Sequence, residues 1–252
     1  SDVINLTQQP PSHLSSRSFS NPLSPIEKHP KGISIGEKVS IVKRGNEVAR
    51  KLDPHVRQVK VLYRDFSQNL LIANSEGASV EGERVGTVFS VQVVSAEGNI
   101  IQTGYEPVGG TMGFEIFDFH PPEEVAEVAA KRSLLMLSAR KAPSGRMAVV
   151  LSSDAGGTMI HEAIGHGLEA DLAQQGLSVY SKKIGERVAS PLITVVDDPT
   201  LPQKRGSYSF DDEGVPSRRT LLVEEGVLKS YLYDRLGALK DGVESTGNGR
   251  RE

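Results

Sequence analysis

Two histidines five positions apart enclose a glutamate in His161-Glu162-Ala163-Ile164-Gly165-His166, and two further carboxylates, Glu169 and Asp171, follow closely. Imidazole nitrogen is a favoured zinc ligand, and a carboxylate next to a metal-activated water can take its proton as that water attacks a carbonyl. The residue types therefore point to a metal-dependent hydrolase centre, with His161 and His166 as ligands and Glu162 as general base. The spacing imposes a condition. On an ideal α-helix, five residues rotate about 140° beyond one full turn, so the two rings would not face one ion. A single π-turn restores a shared face, and Gly165 is placed to permit it. A regular helix with diverging rings would leave the competing reading, a helix with incidental histidines.

The elements that must hold this stretch can be read in outline. Residues 36–52 carry Val39, Val42, Val48, Ala49 and Leu52 at helical spacing, interrupted by Gly45 and stopped by Asp53-Pro54. From residue 57 to 102 the pattern becomes alternating (Val59, Val61, Tyr63; Phe89, Val91, Val93), with turn chemistry at Asn74-Ser75-Glu76-Gly77 and Ala96-Glu97-Gly98-Asn99. This predicts an antiparallel meander of three or four strands. Pro121-Pro122-Glu123-Glu124 opens a helix to about Lys141 that buries Val125, Val128, Ala129 and Met136. Residues 147–151 form an apolar run read as a buried strand, and residues 154–158 a turn into the metal helix. Strands are expected over 192–196 and 221–233, the latter turning at Glu225-Gly226.

The fold class is therefore α+β: helices packed on an antiparallel sheet, followed by the start of a β-rich domain with the metal helix at its edge. Residues 1–30, rich in Ser and Pro, read as an extended arm or linker; residues 31–140 as the α+β unit; residues 141–252 as the β-rich one.

Bulk properties narrow the function classes. The net charge is -3 with both signs interspersed, which gives no basic stripe for nucleic acid. No apolar run reaches the length of about 20 residues that a membrane helix needs, so a soluble, cytoplasmic protein is expected. With no cysteine among the 252 residues, disulfides and thiolate ligands are excluded from them.

Other residues carry a functional and an ordinary reading. Glu169 and Asp171 could orient an imidazole through its other nitrogen, or form a solvated helix end. Asp211-Asp212-Glu213, ahead of Gly214 and Pro216, reads better as a carboxylate-rich turn than as a cation site. Gly156-Gly157-Thr158 lacks the lysine and the glycine spacing of phosphate loops. Asn248, Arg250 and Arg251 could contact peptide carbonyls or a terminal carboxylate, or form a polar hinge. His13, His29, His55 and His120 lie in arm or loop and carry no partner motif.

Four blocks in order resemble the TldD/PmbA family of metallopeptidases, also labelled modulators of DNA gyrase. They are Ile72-Ala73-Asn74-Ser75-Glu76-Gly77, the stretch from His161 to Asp171, Phe210-Asp211-Asp212-Glu213-Gly214-Val215-Pro216, and Ser245-Thr246-Gly247-Asn248-Gly249-Arg250-Arg251. The intact His161, Glu162 and His166 make the chain similar to the TldD branch, since the PmbA-like (TldE) branch lacks them. The resemblance implies a zinc peptidase acting on unfolded or extended peptides. It would work as a homodimer or as a heterodimer with a TldE/PmbA-like subunit. It also implies a third zinc ligand, a downstream cysteine that this chain does not contain. The sequence then reads as a piece that alone binds zinc weakly and does not cleave peptides. The rival reading is a non-catalytic binding or assembly module with a vestigial or structural histidine pair.

Overall fold

The computed structural model describes residues 15–18, 25–75 and 77–251. Ser34 starts helix α1 (Ile35–Lys51): its hydroxyl accepts from the Glu37 N–H, and the Glu37 carboxylate accepts from the Ser34 N–H. This reciprocal cap satisfies two otherwise orphaned donors. Gly45 does not interrupt α1, against the sequence expectation. It is buried, and a Cβ there would stand 3.2 Å from Phe89 Cζ, so the glycine lets the helix lie close to the sheet.

That sheet is the expected meander: β2 (Val56–Ala73), β3 (Ala78–Glu97) and β4 (Ile100–Gly110), paired antiparallel in chain order. The turns use Gly77 (φ 87°) and Gly98 (φ 56°), a left-handed backbone that glycine adopts without steric cost. A short strand, β1 (Ser15–Ser18), runs parallel to β3 at residues 78–81. The rest of the arm read from the sequence up to residue 24 lies outside the described residues.

A short helix, α2 (Ile116–Phe119), leads to α3 (Pro122–Leu137). Val125, Ala126, Ala129 and Ala130 of α3 pack with Ile41 and Ala49 of α1 on Phe89, Val91 and Val93. Two expectations are corrected here. The helix ends at Leu137 rather than near Lys141, and Val128 and Met136 are 42% and 40% exposed rather than buried. Small residues make the contact because α3 nearly touches β4: a Cβ on Gly104 would overlap the Ala129 carbonyl.

The second unit departs further from the pattern. Residues 147–151 form no strand and are exposed, with Val150 at 99%. No described strand pairs with them, so the apolar run has no sheet to enter. Residues 154–158 are helical instead of a turn, within α4 (Ser153–Ile160). The Ser152 hydroxyl accepts from the Ala155 N–H and Asp154 sits in the first turn, which start the helix despite Gly156 and Gly157. After the segment that carries His161 and His166 come α5 (Ala170–Gln174), the antiparallel strands β5 (Val195–Asp197), β6 (Thr220–Glu224) and β7 (Val227–Leu228), and α6 (Arg235–Asp241). The strand expected from Leu192 begins at Val195, and the 221–233 segment turns at Glu225-Gly226 but is strand only to Leu228. Leu168, Ala173, Leu222, Val223, Leu228, Tyr231 and Tyr233 form a second core. The chain is thus α+β, and no helix among the described residues is long and apolar enough to cross a membrane.

Candidate metal centre

The helix that begins at Ser153 changes its winding where the histidines start. Residues His161–Gly165 form a π-turn, closed by a hydrogen bond from the His166 N–H to the His161 carbonyl, and a 3-10 turn, His166–Leu168, follows. An i→i+5 bond stacks residue i+5 over residue i, so the backbone itself brings the two histidines together. Gly165 is tight as well as permissive: a Cβ there would stand 3.3 Å from His161 Nδ1. The far end of the segment is stitched to the second core, with Leu232 N–H on the Leu168 carbonyl at 2.8 Å and Ala170 N–H on the Leu232 carbonyl at 3.0 Å.

The two Nε2 atoms lie 3.0 Å apart, with the rings edge to face at 74°. One ligand atom each from His161, Glu162 and His166 fall within 4.8 Å of one another, and all three side chains are exposed. Two nitrogen ligands of a tetrahedral zinc, each at 2.0–2.1 Å, stand about 3.3 Å apart. The observed spacing is within a few tenths of an ångström of that, so the donor set fits zinc.

Glu169 Oε1 takes a hydrogen bond from His166 Nδ1 at 2.6 Å. That contact fixes the tautomer of the neutral ring, leaving the Nε2 lone pair directed at His161. The same carboxylate, aided by the charge of Glu162, holds the His166 imidazole above its usual pKa. The Asp171 carboxylate accepts from the Leu172 N–H at 2.9 Å.

A cleft of about 410 Å3 opens beside Glu169, lined also by Asp171, Glu213, Asp234, Asn248 and Arg250. Asn248 is braced within it, donating to Asp197 at 2.9 Å and accepting from Thr246 Oγ1 at 2.7 Å. Arg250 pairs with Asp212 at 2.9 Å and lies over the Tyr208 ring. The acidic loop is an internal brace, as the turn reading expects. Buried Asp211 accepts from the Glu213, Val215 and Gly249 N–H groups, each at 2.9 Å. Asp212 also accepts from Arg84 of β3 at 2.7 Å, which ties the meander to the cleft. Burial pushes the Asp212 carboxyl up, but the Arg251 N–H and the Arg84 guanidinium outweigh it, so its pKa is lowered.

His29 and His55, assigned nothing from the sequence, pair with Glu83 at 3.2 Å and Asp53 at 2.7 Å. Sequence reasoning missed Arg84 and Tyr180. The latter's hydroxyl donates to the Ala163 carbonyl inside the π-turn at 3.1 Å. Neither stands in a motif or at a telling spacing.

A histidine pair with an adjacent glutamate on one helical turn, set on an α+β scaffold, has the outline of a metallohydrolase site. Comparison with known proteins gives the family. Residues 28–137 match the PmbA/TldA metallopeptidase central domain and residues 144–252 the C-terminal domain. The chain belongs to the TldD/PmbA family of metallopeptidases. It is 37% identical over 238 residues to a metalloprotease TldD homolog of Buchnera aphidicola, covering 91% of this chain and 48% of that protein. It is 38% identical over 225 residues to a metalloprotease of Methanocaldococcus jannaschii, covering 89% and 49%. The crystal structure of a candidate modulator of a DNA gyrase from Thermotoga maritima superposes with a TM-score of 0.79 at 29% identity, covering 89% of this chain and 51% of that one. The chain thus spans about half the length of the curated relatives it matches.

Proposed function

We propose that this chain carries the metal-binding core of a zinc-dependent peptidase that hydrolyses unfolded or extended peptides. The observation that carries the reading is the π-turn that sets two Nε2 atoms 3.0 Å apart with Glu162 beside them. His161 and His166 are the ligands. A third ligand, the cysteine implied by the family resemblance, comes from outside these residues, and two imidazoles alone hold zinc weakly. Bound zinc would supply a Lewis acid that polarises the peptide carbonyl and acidifies the attacking water.

The chain's own groups do the rest. Glu162 takes the water's proton at its carboxylate and returns it to the leaving amine. Glu169 keeps His166 in the tautomer that presents Nε2. Asn248 and Arg250 line the neighbouring cleft, where they can hold the carbonyls or terminal carboxylate of an extended peptide. The working unit, on the resemblance, is a cytoplasmic dimer with a second copy or with a TldE/PmbA-like subunit.

The test is Glu162→Gln in the intact protein. Loss of peptide cleavage with zinc retained supports the reading, because the amide cannot accept the proton. Unchanged cleavage, or no cleavage by the unsubstituted protein, overturns it in favour of a non-catalytic module.

A further inference from the structure

We infer that Tyr180 is a positioning residue for the metal centre, its hydroxyl pinning the π-turn that brings His161 to His166. The inference rests on the metal reading above and adds to it a group whose hydroxyl bonds to the backbone of the turn at Ala163. In a π-turn the hydrogen-bond ladder slips by one residue, and here the chain then tightens to a 3-10 turn at His166. Carbonyls at such a junction lose their regular helical geometry and need other donors. The Ala163 carbonyl, midway between the two histidines, receives the Tyr180 hydroxyl at 3.1 Å.

Tyr180 is itself held from behind. Its N–H donates to Ser178 Oγ at 3.0 Å, and that hydroxyl donates to the Gly167 carbonyl at 2.5 Å. Its carbonyl accepts from the hydroxyl of Tyr231, a buried residue of the second core, at 2.5 Å. The ring lies against Gly167, where a Cβ would come within 2.7 Å of it. The metal segment is therefore gripped at Ala163 and at Gly167, on both sides of Gly165 and His166. The grip is anchored in the core rather than in the segment itself. A π-turn is a rare winding, and this clamp supplies a tertiary reason for it to persist at one place.

Tyr180→Phe in the intact protein tests the inference, because it keeps the ring and removes the donor. Zn2+ binding is followed by calorimetry, and Co2+ serves as a spectroscopic probe of ligand geometry. The expected result is an unchanged circular dichroism spectrum, a zinc affinity lower by about tenfold, and an altered Co2+ visible band. Gly167→Ala, which displaces the ring, is expected to move both readouts in the same direction. Unsubstituted affinity and an unsubstituted Co2+ band in Tyr180→Phe would show that the tyrosine only fills space, and would overturn the inference. Failure of the metal reading looks different: the unsubstituted protein then binds neither ion.

Discussion

Glu169 Oε1 stands 2.6 Å from His166 Nδ1, so the imidazole facing His161 is held from behind by a carboxylate three residues along the chain. Outer partners of this kind fix ring orientation and raise ligand basicity. Glu169→Ala is therefore expected to weaken zinc binding by about ten- to a hundred-fold in the intact protein, measured by competition with a chromophoric chelator. Asp171→Ala is the control. Its carboxylate accepts from the neighbouring Leu172 N–H, and its loss should leave zinc affinity unchanged.

Arg84 and Asp212 join the meander to the loop that braces Arg250. The Asp212 carboxyl has a lowered pKa in the folded state, from an ordinary value of 3.8. A group of this sign contributes stability that is fully present above its unfolded value and is lost as pH falls through its folded value. Asp212→Asn should cost about 2 kcal/mol at pH 7, the typical worth of a charge-assisted hydrogen bond. The difference from the unsubstituted protein should shrink as pH drops below 3.8. Urea titrations at several pH values check this, and a pH-independent difference would refute the assignment.

Two glycines make opposite predictions for stability. A Cβ on Gly104 would overlap the Ala129 carbonyl where α3 crosses β4, and Gly104→Ala should cost about 3 kcal/mol through forced separation of helix and sheet. Gly157, within α4, meets nothing within 4 Å, and Gly157→Ala should stabilise by up to about 1 kcal/mol through helix propensity. Chemical denaturation of both variants measures the pair.

The winding of the histidine segment was more legible than its surroundings. Five-residue spacing of two histidines with Gly165 between them is a local geometric statement, and the π-turn at His161–Gly165 answers it. The meander was legible for a similar reason, since Val59, Val61 and Tyr63 alternate against Phe89, Val91 and Val93. Residues 147–151 were not: an apolar run implies burial only if a neighbour covers it, and sequence cannot supply the neighbour. The start of α4 was obscured by Gly156 and Gly157, whose poor propensity is offset by the Ser152 cap. Val128 and Met136 misled because α3 buries its small residues instead, a choice made by the closeness of Gly104. Tyr180 and Arg84 act across 17 and 128 residues, on Ala163 and Asp212 respectively, and no local pattern encodes such contacts.

X-ray absorption at the zinc edge of the intact, zinc-loaded protein measures the first coordination shell, compared with His161→Ala and His166→Ala. The proposed centre requires two imidazole nitrogens at about 2.0–2.1 Å, with one lost in each variant. A shell that contains zinc but is unchanged by either substitution would contradict it.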